Sequence, residues 1–235
     1  MPAARKRSVD VHRLALLDTQ RPADGWILID TGIGAFTKTG GRIHTNLAAA
    51  GIAAADVRTI VITHAHPDHI GGIATDDGAR RFPNAKYVID EREWQYWTGN
   101  ETPGQPKSRI EVAHKQLGPI KDRVTLANGD IDIAPGVRLL RAPGHTPGHA
   151  IVDVRSRGER LLFWGDLVLH PVILEHPDWR NTYDSDGAEA AASRQKVLED
   201  VASSDTLVLA FHFAGFPSLG YVKRNGNAWT WVPAR

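Results

Sequence analysis

The 235-residue chain contains no cysteine, a single methionine and only 7% aromatic residues. Without thiols, disulfide frameworks, cysteine-ligated zinc, iron–sulfur clusters and thiol nucleophiles are excluded together, so any metal must be held by His, Asp or Glu. Charge of one sign is also missing: 28 Lys and Arg against 27 Asp and Glu leave a formal net charge of +1. That balance provides no broad basic field for nucleic acid or anionic lipid and favours small-molecule chemistry. Long hydrophobic runs are lacking too. Residues 160–174 are interrupted by Asp166 and residues 206–216 are few, so neither stretch crosses a bilayer as a helix. Arg5-Lys6-Arg7 has no apolar stretch behind it and makes no signal peptide; residues 1–10 are expected to be a flexible tail, with the cytoplasm as the default compartment.

What is present is an ordinary globular composition, 42% apolar and 23% charged, which at this length suggests one domain over residues 11–235. Apolar runs at 14–17 and 26–29, separated by Pro22 and Asp24-Gly25, read as a hairpin. A weak helical segment over 43–50 leads to a β-branched strand at 59–63. Strand 86–89, helix 91–97, a Gly/Pro loop at 99–106 and helix 110–117 follow. Strand candidates at 124–126, 137–142, 150–154 and 160–164, punctuated by Gly and Pro, suggest a mostly antiparallel sheet. Helix 188–201, strand 206–211 and a terminal hairpin over 221–232 complete an α/β layered pattern without short-period repeats.

Eleven histidines are unevenly spread. Three fall in His64-Ala65-His66-Pro67-Asp68-His69, four metal-capable side chains within six positions. The cluster follows a buried strand and precedes Gly71-Gly72, whose missing Cβ atoms allow close backbone approach. In an extended loop His64 and His66 project to one side, and a following turn carries Asp68 and His69 to a second centre. Further donors stand just past other strand candidates: His145 in Pro143-Gly144-His145-Thr146-Pro147-Gly148-His149, Asp166 in Trp164-Gly165-Asp166, and His212 in Ala210-Phe211-His212. Each alone has an ordinary reading as a loop, turn or core residue. Together, five His and two Asp form a nitrogen and oxygen set suited to a dinuclear Zn, Fe, Mn or Co site.

In this order, Asp30-Thr31-Gly32, the His-x-His-x-Asp-His cluster, Gly144-His145-Thr146-Pro147-Gly148, Gly165-Asp166 and His212 resemble the motifs of the metallo-β-lactamase-fold hydrolases across nearly the whole chain. The resemblance implies a four-layer αβ/βα sandwich with its site at one edge of two facing sheets. It also implies that His64, His66 and His145 hold one metal and Asp68, His69 and His212 the other, with Asp166 bridging and Asp30 steadying a ligand histidine. Within the superfamily the chain is similar to the methyl-parathion-hydrolase-like branch through Phe82-Pro83-Asn84-Ala85, Gly165-Asp166-Leu167-Val168, Tyr183-Asp184-Ser185-Asp186 and Phe216-Pro217. That likeness implies a homodimer. Members of the branch usually carry several tens of residues ahead of the first hairpin, where this chain begins almost at it.

Two divalent ions roughly 3.5–4 Å apart share a hydroxide and bring the pKa of its parent water toward about 7. The expected reaction is attack by this hydroxide on a small ester, lactone or phosphotriester, with Asp166 placing both ions and Asp68 handling a proton. Acyl-homoserine lactonases carry a tyrosine three residues beyond the bridging aspartate, whereas this chain has Leu169 followed by His170, so lactone opening is the alternative. Ala65 and the lack of a basic C-terminal domain speak against glyoxalase-type thioesterases, and His66 in place of Glu against flavodiiron redox chemistry. Zinc is the first choice of metal from ligand type, with Mn, Co or Fe as substitutes.

Trp94, Trp97, Trp164 and Trp179 with Phe213 and Phe216 offer an apolar lining; Trp179, Phe213, Phe216 and Leu169 are the pocket candidates, against a plain reading of the aromatics as core. His149, His170 and His176 are left as supporting or surface residues, and residues 183–186 as a helix start. An answer of another class is a metal-binding module without significant catalysis.

Overall fold

The computed structural model describes residues 15–18, 25–37, 40–215 and 217–234. The expected tail at 1–10, the hairpin turn around Pro22 and the side chain of Phe216 lie outside the described residues. Twelve strands are described: β1 (Ala15–Asp18), β2 (Trp26–Ile29), β3 (Val57–Val61), β4 (Lys86–Asp90), β5 (Val124–Ala127), β6 (Ile131–Ala134), β7 (Val137–Arg141), β8 (Ala150–Ser156), β9 (Glu159–Phe163), β10 (Leu207–Leu209), β11 (Leu219–Asn225) and β12 (Ala228–Pro233). The helices are α1 (Ile43–Ala49), α2 (Pro67–Ile70), α3 (Glu91–Thr98), α4 (Lys107–Leu117), α5 (Val172–Glu175) and α6 (Gly187–Ala202). Asp186 caps α6, its carboxylate accepting from the backbone N–H of Ala188 and Glu189, as expected of a helix start at this acidic segment.

The strands form two sheets, β1-β2-β3-β4-β5 and β12-β11-β10-β9-β8-β7-β6. Antiparallel pairing prevails, through β1–β2, β6–β7–β8–β9 and β10–β11–β12. The parallel ladders are β2–β3–β4–β5 and β9–β10. The segment 124–126 therefore joins the first sheet beside β4, away from the three strand candidates that follow it.

Side-chain alternation along the strands builds the layers. Ile27, Ile29, Val61 and Val88 of the first sheet meet Leu139, Val152 and Phe163 of the second in one buried cluster. Leu28, Ile60, Tyr87 and Ile89 point the other way, onto Ile43 and Leu47 of α1, Trp97 of α3 and Leu117 of α4. Leu162, Val208 and Val222 on the outer face of the second sheet pack against Leu174 of α5 and Val197, Leu198 and Val201 of α6. Helices thus cover the outer face of each sheet while the inner faces bury each other, giving the four-layer αβ/βα sandwich. No helix among the described residues is long and apolar enough to cross a membrane.

Candidate metal centre

Asp30, His64, His145, Asp166 and His212 all follow the C-terminal ends of strands, β2, β3, β7, β9 and β10 respectively. Within each sheet these strands run in the same direction, so the loops leave from a common edge. After β3 the chain stays extended through His66, and Pro67 opens the single turn of α2. Proline suits this first helical position because its missing N–H has no partner there in any helix. The turn brings Asp68 and His69 to a second group of donors with Asp166 and His212, while the His69 ring stays 4.0 Å from that of His64. Gly71 and Gly72 permit the close approach expected of them: a Cβ on Gly71 would lie 2.3 Å from the Ile33 carbonyl oxygen, and one on Gly72 2.3 Å from that of Thr31.

Two groups of donors converge. His64, His66, His145 and Asp166 form one; Asp68, His69, Asp166 and His212 form the other, with the donor atoms of each lying within 4.8 Å of one another. In the first, His66 Nδ1 lies 3.0 Å from His64 Nε2 and 3.0 Å from His145 Nε2. Asp166 Oδ2 stands 3.3 Å from His145 Nε2 and 3.1 Å from His212 Nε2, while its Oδ1 is 3.0 Å from His69 Nε2. Asp68 Oδ2 is 3.6 Å from His212 Nε2.

Hydrogen bonds on the far side of the rings set their tautomers. His69 Nδ1 donates to Asp30 Oδ2 at 2.7 Å, and His145 Nδ1 donates to Asp184 Oδ1 at 3.0 Å. Thr63 gives its hydroxyl proton to Asp30, leaving its oxygen to accept from His64 Nδ1 at 3.2 Å. Each bond leaves an Nε2 lone pair aimed inward. Three imidazole nitrogens converging at hydrogen-bond distance cannot satisfy one another, because a shared proton serves two of them. His69 Nε2 and Asp166 Oδ1, buried and 3.0 Å apart, have no other hydrogen-bond partner among the described residues. A set of inward lone pairs around a buried carboxylate fits divalent cations.

The electrostatics agree with a cluster assembled for positive charge. Burial holds His64 and His66 well below the ordinary histidine range. At His69 burial is outweighed by the carboxylates of Asp166, Asp30 and Asp68, which raise it well above that range. His145, likewise buried, is pushed up to about 9 by its bonds to Asp166 and Asp184. Burial alone would raise Asp166, but the surrounding His69 and His64 hold it well below the usual carboxylate range.

The site opens into a cleft of about 450 Å³ bordered by His66, Asp68, Arg109, Leu169, Asn181 and Tyr183, among others. Leu169 is among the residues bordering it. The aromatic lining expected around it takes a different form: Phe213 is buried against Trp164 and Trp231, and Trp179 lies half exposed, stacked on His176 at 4.1 Å. Neither borders the cleft, whose wall of His66, Asp68, Arg109, Asn181 and Tyr183 is more polar than the tryptophan count suggested. Trp97 is also core, but its edge meets the His66 ring at 5.5 Å.

Two further residues of the centre are only faintly marked by the sequence. Asp184 was read only as part of a helix start, yet it holds His145 and is itself met by Arg194 at 3.4 Å. His149 accepts from the Asp166 backbone N–H at 3.0 Å through Nε2 and donates to the Ala142 carbonyl at 2.9 Å through Nδ1. Burial depresses its pKa to about 3, so it serves as a neutral hydrogen-bonding strut. Only its position beside the Pro143–Gly148 motif could have marked it.

With this fold and donor arrangement, the chain belongs to the metallo-beta-lactamase superfamily, which matches residues 18–212. Among relatives, an N-acyl homoserine lactonase of Bacillus cereus is 31% identical over 123 residues, covering 52% of this chain and 43% of that protein. The chain spans less than two thirds of the length of the first curated relatives it matches. Among solved structures, AidC, a dizinc quorum-quenching lactonase in complex with a product, is 29% identical with a TM-score of 0.87, covering 94% of this chain and 79% of that one. The hydrolase AbOPH of the beta lactamase superfamily is also 29% identical, with a TM-score of 0.83 over the same shares.

Proposed function

We propose that this protein is a dinuclear metal-dependent hydrolase of small neutral esters, with lactones the first substrates to test and aryl esters and phosphotriesters next. The observation that carries the reading is Asp166, whose two oxygens face both donor groups at the floor of a single cleft. His64, His66 and His145 would hold one cation, Asp68, His69 and His212 the other, and Asp166 would join them. Zinc is the first choice for such a set, and divalent cations in these positions supply a water whose pKa falls toward about 7 together with a Lewis acid for a substrate oxygen.

The chain's own groups then divide the remaining work. Asp30 and Asp184 fix the rings of His69 and His145. Asp68, with its side chain 23% exposed at the cleft, is the carboxylate able to pass a proton between the reacting centre and solvent. Arg109, which lies over the Tyr183 ring at 5.3 Å, and Asn181 offer donors for a substrate carbonyl or the carboxylate that ester hydrolysis releases. Leu169 occupies the place three residues past Asp166, and the phenol of Tyr183 stands in the same cleft wall.

The lactone reading is supported by relatives that carry that name and by AidC; the polar cleft wall also suits a small polar ester better than a bulky aryl group. Its test is initial-rate hydrolysis of an N-acyl homoserine lactone, an aryl ester and an aryl phosphotriester by zinc-reconstituted protein, each repeated with Asp166→Ala. Lactone opening that is lost with chelator, restored by zinc and absent in the variant is expected. Protein that binds two zinc ions and turns over none of these would contradict hydrolysis and favour the metal-binding module.

A further inference from the structure

Glu93 sits on α3, an element that offers no donor to the cleft, yet its carboxylate is fully buried and its bonds run to the loops that do. Its Oε1 accepts from the backbone N–H of Ala65 at 2.9 Å and from the Trp97 indole at 2.7 Å. Its Oε2 accepts from the Gly148 backbone N–H at 3.0 Å. Ala65 lies between His64 and His66, Gly148 lies between His145 and His149, and the Trp97 ring that Glu93 anchors stands edge-on to His66.

A carboxylate is costly to bury unless its oxygens are satisfied, and burial does push the Glu93 pKa up. Three donors on two loops and a neighbouring helix turn are a specific compensation. The loop side is built to match: a Cβ on Gly148 would fall 2.2 Å from the Glu93 backbone nitrogen, a separation that no other residue allows. An apolar residue at 93 would leave two buried backbone N–H groups and an indole without acceptors.

We propose that Glu93 is a positioning residue for the first donor group. By bridging Ala65 and Gly148 it fixes the separation of the loop bearing His64 and His66 from the loop bearing His145, and so sets the cation affinity of that group without touching the ion. This rests on the reading that the two donor groups hold cations.

The test measures zinc affinity stepwise against a competing chelator for wild type, Glu93→Gln and Gly148→Ala, together with the Tm of each metal-free protein. His212→Ala is the background that isolates the step belonging to His64, His66 and His145. Glu93→Gln keeps the shape but turns an amide donor toward one of the N–H groups; Gly148→Ala pushes the loop bearing His145 away from α3 and so from the carboxylate that ties it to Ala65. Both are expected to weaken the first-group step by about 10- to 100-fold, the range for outer groups that orient ligands. The second step should stay within a few-fold, and kcat should fall more than KM rises. Equal weakening of both steps in proportion to lost Tm would make Glu93 a plain core residue and overturn the proposal. Two zinc ions bound as tightly as in wild type by both variants would overturn it as well, while the reading of the site stands. A wild-type chain that binds no zinc removes that reading and the proposal together.

Discussion

The two donor groups share Asp166 but differ in how they are held. His64, His66 and His145 are buried at 0%, 4% and 3% exposure, and the carboxylates of Asp184 and Glu93 bond to His145 and to the loop around Ala65. In the second group, among the described residues, only His69 has such support, from Asp30; the side chains of Asp68 and His212 are 23% and 22% exposed at the cleft. Dry, pre-oriented ligands favour tight binding, whereas exposed ones leave room for exchange and for a substrate oxygen. Both groups border the cleft, His66 and His145 from the first and Asp68 and His212 from the second, so the contrast between them is one of burial and support.

The change that should erase the comparison altogether is Asp166→Ala. With the shared carboxylate gone, both zinc steps are expected to weaken by more than roughly 100-fold, beyond the loss typical for an outer orienting group, which elemental analysis after gel filtration reads directly. Selective changes come next. Asp184→Asn keeps an acceptor for the His145 ring but removes its charge and the ion pair to Arg194, so the buried step should lose about 10-fold or more while the open step holds. Asp30→Asn should weaken the open step most, through His69, with a smaller loss on the buried step because Asp30 also accepts from the Thr63 hydroxyl that meets His64, and with an added fall in Tm because it accepts from the Thr63 backbone N–H at 2.8 Å. If Asp184→Asn weakened the open step as much as the buried one, the division into two groups would be wrong.

The smallest effect concerns the cleft wall. Arg109 bonds the Gln105 side chain at 3.2 Å and lies over Tyr183, and among the described residues it has no carboxylate partner. Arg109→Ala is expected to raise KM several-fold for a lactone while leaving both zinc steps and kcat nearly unchanged. A drop in kcat at constant KM would place the guanidinium in the chemical step instead.

Much of this arrangement could be read from the chain itself. The His64–His69 cluster announces its chemistry because histidine and aspartate crowd a turn after an apolar strand, where a plain loop has no use for them. His145, Asp166 and His212 are legible for the same reason, each a single donor after a β-run. Glu93 and Asp184 are not, since a glutamate on an amphipathic helix and an aspartate before a helix start both have ordinary solvent-facing roles; only their folded positions show the N–H and ring they meet. Strand β6, Ile131-Asp132-Ile133-Ala134, is masked in the sequence by turn residues on both sides, Asn128-Gly129-Asp130 before it and Pro135-Gly136 after it. Parallel pairing of β5 with β4 follows from the helices α3 and α4 between them, the usual parallel crossover, but the Gly and Pro spacing after 124–126 groups that strand with the antiparallel set instead.

The most direct measurement is a stepwise zinc titration of the metal-free wild-type protein against a competing chelator, repeated on Asp166→Ala. Two ions per chain with unequal affinities, both lost in the variant, is the outcome this account requires. One ion or none in the wild type, or two retained in the variant at wild-type affinity, would contradict it.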